Sequence, residues 1–308
     1  MKFTDQAYKG KNTFAHYLLT LILFVIGWQL IGAIPLYLYA LEKAGSFANL
    51  LNSVEQNFGN LGIDQNLLLV LYVLMFLGGL IALLLGVKLI HKRPILSVLT
   101  SRKQIDWSRI FTSFISWFAL SILVFLVDYF INTTDFEWNF QLIPFLILCV
   151  VAIVFIPIQV SMEEVLFRGY LLQGFSAWFK SIPAAIILSG VVFGLLHGMN
   201  PEVASLGWGV MVFYIGTGVF LSALTVMDDG LELVIGFHAA NNIAAVLLVT
   251  SSWTVLKTDA LFMDTSEPAL GWSTFITMTL LYPLLLFFFF KKYKWGSFKS
   301  LLGINFKK

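Results

Sequence analysis

The chain alternates long apolar blocks with short polar breaks, and the length of the blocks is the first signal. A helix rises 1.5 Å per residue, so about 20 apolar residues cross the hydrocarbon core of a bilayer. Blocks near that length run over residues 17–40, 67–90, 111–131, 142–160, 183–199, 208–227, 231–250 and 275–290. This predicts an all-α fold: a polytopic membrane protein built as a bundle of about eight transmembrane helices. The longest polar stretches, 42–65 and 251–273, read as loops, and no internal repeat or separate soluble domain interrupts the pattern. The first block follows Lys2, Lys9 and Lys11 but is too long for the apolar part of a signal peptide, so it reads as an uncleaved anchor.

Composition agrees with the pattern. The chain is 59% hydrophobic and 12% charged, against roughly 45–50% and about 25% in soluble domains. The net charge of +2 says little about partners, and nothing in the chain points to nucleic acid. With one cysteine, Cys149, no disulfide can form within the chain.

Where the charges sit is more informative. With an even number of spans both termini share a side. Placing them in the cytoplasm puts 17 of the 19 Lys and Arg residues on that side, leaving only Lys43 and Lys257 outside. The chain is therefore expected in a plasma membrane, such as that of a bacterium, with both ends cytoplasmic. Trp138, Trp208, Trp253, Trp272 and Trp295 lie near block boundaries, as interfacial tryptophans do.

Against this apolar background a few residues stand out, because a charge at membrane depth costs about 2.5–3.5 kcal/mol on insertion scales. The fourth block runs into Ser161-Met-Glu163-Glu164-Val-Leu-Phe167-Arg168. Glu164 and Arg168 share a helical face and can pair, while Glu163 is turned roughly 100° away. His197 follows Phe193 by four residues in the fifth block, and Asn242 follows His238 by four in the seventh. Taken singly, a charged helix end or an intramembrane histidine is an ordinary snorkelling or packing feature. Together they are a carboxylate, two imidazoles and an amide, a set able to move protons and hold an oxyanion.

Height along the bundle tests whether they meet. If the fourth helix continues past Gly174 and turns near Lys180, Glu163 and His197 each lie 17 residues from the turn on opposite arms of one hairpin. If that helix stops at Val160, the two fall on opposite faces of the membrane. Gly190, Gly194 and Gly198 form a small-residue ridge suited to close helix contact, and Gly207, Gly209, Gly216 and Gly218 are read the same way. Pro144 and Pro157 are candidates to kink the fourth helix.

The ordered set Glu163-Glu164-x-x-x-Arg168, Phe193-x-x-x-His197 and His238-x-x-x-Asn242, spread over about 150–249, resembles the CPBP (ABI) family of membrane proteins. That family groups type II CAAX prenyl endopeptidases with bacteriocin-processing enzymes. The resemblance implies an intramembrane endopeptidase acting on a membrane-associated or lipidated protein or peptide near the cytoplasmic face. It also implies roles: Glu163 and His197 activate the attacking water, His238 and Asn242 stabilise the oxyanion, and Glu164, Arg168 and Phe193 support the site. On this reading residues 1–140 hold three helices and their loops, and 141–250 the catalytic core on helices four to seven. Residues 251–308 hold an outer loop, the last helix and a basic tail.

Two chemistries stay open. Metal-free water activation is favoured, since no His-Glu-x-x-His spacing or cysteine cluster occurs. The alternative is a Zn ion held by Glu163, His197 and His238. Two other functions compete: an ion- or proton-coupled transporter using the same charges, and a catalytically silent immunity or binding scaffold. The partners expected are the bilayer and a peptide substrate, with the oligomeric state open.

Overall fold

The computed structural model describes residues 2–254 and 257–296. A short 3-10 segment, Thr4–Lys9, leads into α1 (Phe14–Ala44). Then come α2 (Phe47–Glu55), α3 (Gln65–Ile90), α4 (Trp107–Ile131) and α5 (Leu142–Phe179). They are followed by α6 (Ile182–Met199), α7 (Pro201–Leu206), α8 (Val210–Asp228), α9 (Glu232–Leu248) and α10 (Thr274–Lys292). Seven of these are long and apolar enough to cross a membrane, and α9 is the shorter apolar helix left over. The chain is an integral, multi-pass membrane protein. Of the basic residues used for orientation, Lys299, Lys307 and Lys308 lie outside the described residues.

The eighth expected span is thus the 17-residue α9. It runs parallel to α4, joined by Ser113 Oγ donating to the Leu233 carbonyl at 2.6 Å and by Trp117 Nε1 donating to Asn241 at 3.2 Å. Both helices start at one polar cluster, where Arg102 pairs with Asp228 and Glu232 and Arg109 pairs with Asp106 and Asp228. Both end at a small sheet of β1 (Phe136–Trp138), β2 (Val249–Ser251) and β3 (Phe262–Asp264). Its order is β1-β3-β2, with β3 antiparallel to β1 and parallel to β2. α9 therefore reaches from the same polar cluster to the same small sheet as α4 with fewer residues.

Two stretches read as loops carry structure. Inside 42–65 lies α2, whose N-terminus is capped by Ser46 Oγ accepting from the Asn49 amide at 3.2 Å. Inside 251–273 lies β3, three residues long and held by pairing on both sides.

α5 decides the position of the site. It is one continuous helix of 38 residues, so it passes Val160 as the site requires. Pro157 lies inside it and cannot donate to the preceding turn. A π-helical stretch, Val165–Leu171, follows directly after Glu164 and carries Arg168. The helix ends at Lys180, in the left-handed region at φ 49. Ser181 then caps α6 by accepting from the Ala184 amide at 3.3 Å, with Pro183 in its first turn.

α6 and α8 touch backbone to backbone. A Cβ on Gly190 would meet Val219 and Gly218, and a Cβ on Gly218 would meet the Gly190 carbonyl. Gly194 sits likewise against Ile215, and Gly216 against the tip of Met278 on α10. The ridge is shorter than the spacing suggested: Gly198 has only Met211 nearby, at 3.8 Å, and Gly207 serves a turn at φ 77 with nothing within 4 Å. Gly190→Val is expected to cost about 1–3 kcal/mol or more by overpacking, whereas Gly59→Ala, in open space, is expected to be nearly neutral. Thermal unfolding in detergent checks the pair; equal midpoints would refute the close contact.

The N-terminal segment is tied to the same end of the bundle as the α8–α9 turn. The Phe3 amide donates to Asp229 Oδ1 at 2.8 Å. His91, just past α3, bonds the Lys11 carbonyl through Nδ1 at 2.7 Å and the Tyr170 hydroxyl through Nε2 at 2.8 Å. At this end too the Arg109 guanidinium lies over the Tyr293 ring at 3.9 Å, just beyond α10. Both described ends of the chain therefore lie on one face.

Burial, with the charge of Arg93 adding to it, pushes the His91 pKa down from 6.5 to about 4, against the opposing bond to Lys11. Between those values the unfolded chain takes up a proton that the folded chain does not. Stability is then full above about pH 6.5 and falls as pH drops toward 4. His91→Asn is expected to flatten that slope in thermal unfolding; parallel slopes would count against it.

Candidate active site

The site is built on α5, α6 and α9. Gln159 and Glu163 are one helical turn apart on α5, and Gln159 Nε2 donates to Glu163 Oε1 at 2.6 Å. Glu163 Oε2 is buried and has no hydrogen-bond partner among the described residues. It faces His238 Nε2 on α9 at 3.8 Å, too long for a hydrogen bond but close enough for one small group to touch both.

Glu164 does a different job. It is fully buried, and its Oε1 accepts from Arg168 Nη1 at 2.9 Å and pairs with His238 Nδ1 at 2.6 Å. If His238 Nδ1 carries the proton, the neutral ring turns an unprotonated Nε2 toward Glu163. Arg168, also fully buried, donates from Nη2 to the Gly218 carbonyl on α8 at 3.3 Å. Its guanidinium lies 4.2 Å from the centre of the Phe193 ring, a cation–π contact. One ionic group thus ties α5, α6, α8 and α9 together around the Glu163–His238 pair.

Phe193 lies beside both histidines of the site. Its ring centre is 4.5 Å from that of His197 and 6.2 Å from that of His238. His197 Nδ1 donates to the Phe193 carbonyl at 2.8 Å, and the ring stacks on Tyr214 of α8 at 4.7 Å. That bond leaves its Nε2 unprotonated in the neutral ring. Among the described residues no hydrogen bond or ion pair joins His197 to Glu163. The Phe193 ring is the described neighbour that His197 and His238 share.

Asn242, one turn past His238, donates from Nδ2 to Gln159 Oε1 at 3.1 Å, which links the two sides of the site. Its neighbour Asn241 donates from Nδ2 to Asn242 Oδ1 at 3.2 Å and accepts from the Trp117 indole. Gln159, Asn241, Trp117 and Tyr214 were not singled out from the sequence. Gln159 carried a readable signal, since it precedes Glu163 by four residues on a span otherwise apolar.

Residues 138–244 match the family model described as type II CAAX prenyl endopeptidase Rce1-like. Those residues form an Rce1-like domain. The chain is also 31% identical, over 197 residues, to an uncharacterized protein, YyaK, of Bacillus subtilis strain 168. That match covers 64% of this chain, and the chain spans 66% of the length of that relative. No solved structure matches.

Glu163, Glu164, Arg168, Phe193, His197, His238 and Asn242 all fall inside the Rce1-like domain, as does Gln159, whereas Trp117 reaches in from outside it. The zinc alternative can be tested on the donors themselves. Catalytic zinc needs three protein ligands. Among the described residues no three His, Cys, Asp or Glu side chains are grouped to hold a metal. Glu163, His197 and His238 are therefore not grouped as a three-ligand zinc site among those residues.

Proposed function

We propose that the chain is an intramembrane endopeptidase that hydrolyses a peptide bond of a lipid-anchored or otherwise membrane-associated protein or peptide. The observation that carries the reading is the Glu163–His238 pair: a buried carboxylate oxygen without a partner facing an imidazole nitrogen at 3.8 Å. The family resemblance supports the reaction class, and the site's enclosure by apolar helices supports a membrane-bound substrate.

In this reading a water between Glu163 and His238 attacks the scissile carbonyl. Its proton passes to Glu163, and the oxyanion takes up N–H bonds from Asn242, whose second Nδ2 hydrogen is outside the bond to Gln159. As the tetrahedral intermediate collapses, the C–N bond breaks and Glu163 returns the proton to the leaving amine. The second proton of the water then passes from the new carboxyl to the amine, so the products are a carboxylate and a protonated amine, and the enzyme is unchanged. His197 packs on the Phe193 ring and offers its unprotonated Nε2 to the same substrate. Both termini lie in the cytoplasm, following the basic residues.

The test is cleavage in proteoliposomes of a farnesylated CAAX-type peptide and of the same peptide without lipid, read by mass spectrometry. The lipidated peptide is expected to be cut faster. If neither is cut by the wild-type chain, the proposal fails for this substrate class.

A further inference from the structure

The amides around the site have a direction, and it is forced from both ends. Trp117 on α4 donates from Nε1 to Asn241 Oδ1 at 3.2 Å. Asn241 Nδ2 donates to Asn242 Oδ1 at 3.2 Å, Asn242 Nδ2 to Gln159 Oε1 at 3.1 Å, and Gln159 Nε2 to Glu163 Oε1 at 2.6 Å. An indole N–H can only donate, and an ionised carboxylate can only accept. Three amides lie between them, and each could in principle be turned over by half a turn. Only one orientation satisfies all four bonds. Reversing the Asn241 amide would set its NH2 against the indole N–H, donor to donor.

The direction has a chemical consequence. An amide presents either a donor or an acceptor to its surroundings, and an oxyanion is stabilised only by donors. With Asn242 Oδ1 engaged by Asn241, its Nδ2 is the end left to face the reacting group. Reversed, Asn242 would offer a carbonyl oxygen and repel the developing charge. The same relay sets Glu163: with Oε1 held by Gln159, Oε2 is the oxygen turned to His238.

We propose that Gln159, Asn241 and Trp117 are positioning residues, a one-way hydrogen-bond relay that makes Asn242 present N–H to the substrate and fixes which Glu163 oxygen faces His238. The proposal rests on the hydrolytic reading above and assigns roles to residues outside the three motifs. Trp117 is of particular note, since it lies outside the Rce1-like domain. The relay therefore gives a helix of the N-terminal part a place in the site.

Two kinds of experiment test it, one of which needs no activity. In protein labelled with ¹⁵N-tryptophan, the Trp117 indole N–H is identified by its loss in Trp117→Phe. Gln159→Met is expected to shift that resonance although three bonds of the relay lie between. An unchanged resonance overturns the relay.

In cleavage assays Gln159→Met is expected to lower kcat roughly 10–100-fold, as loss of a residue supporting a catalytic group does, with KM little changed and thermal unfolding near that of wild type. Gln159→Glu supplies the discriminating readout. Ionised, the new carboxyl cannot donate to Glu163; protonated, it can donate to Glu163 and still accept from Asn242. Its activity relative to wild type is expected to rise as pH falls, which a purely structural role would not produce. A constant ratio, or an unchanged kcat in Gln159→Met, overturns the positioning role. If the wild-type chain cuts nothing, the hydrolytic reading fails by itself and the indole resonance decides the relay.

Discussion

Glu163→Gln is expected to lower the rate of peptide cleavage by about 10²–10⁴-fold, the contribution of a positioned general acid–base group. The substitution is nearly isosteric and keeps an oxygen to accept from Gln159, so the helix contacts around it persist. What is lost is the group that takes the proton of the attacking water. Because Glu163 acts on the proton in transit rather than in binding, kcat is expected to fall with KM little changed. Thermal unfolding should match wild type, which separates loss of chemistry from loss of fold. A variant that keeps most of its activity would remove Glu163 from the mechanism.

Arg168→Met is expected to act in the opposite way, on the fold first. Arg168 and Glu164 are both fully buried and 2.9 Å apart. Removing one member of a buried pair leaves an uncompensated charge and costs about 3–5 kcal/mol. Arg168 also spans to the Gly218 carbonyl and the Phe193 ring, so its loss loosens α6 and α8 against α5. Adding Glu164→Gln to Arg168→Met is expected to recover part of that stability, since the orphaned charge is then gone. Thermal unfolding of the two single variants and the double variant checks this. Strictly additive losses would mean that the two residues do not act as a pair.

The parts of this site that could be read from the sequence are those that violate the membrane's preference most strongly. Glu163, Glu164, Arg168, His197 and His238 are costly in an apolar block and are visible for that reason. Gln159 and Asn241 are neutral amides with a smaller penalty, and Trp117 passes for an ordinary aromatic of a membrane helix. Their roles appear only when α4, α5 and α9 are set side by side.

Helical spacing correctly placed Glu164 with Arg168, which pair at 2.9 Å, because four-residue spacing fixes a shared face within one helix. It could not fix the angle between helices. That is why it did not foresee that His238 is an imidazole facing Glu163, at 3.8 Å. α9 was found by its apolar pattern but, at 17 residues, is shorter than a usual span. The three-residue strands at the other end are too short to leave any periodic trace. Its pairing with Gly209 groups Gly207 with the packing glycines, whereas its backbone, at φ 77, shows that it makes a turn.

Cleavage in H₂¹⁸O tests the central claim most directly. With wild-type protein in proteoliposomes and a farnesylated CAAX-type peptide, ¹⁸O is expected in the new carboxylate of the product, with no product above background from Glu163→Gln over the same time. Labelled product formed equally by Glu163→Gln would contradict a hydrolytic site built on Glu163.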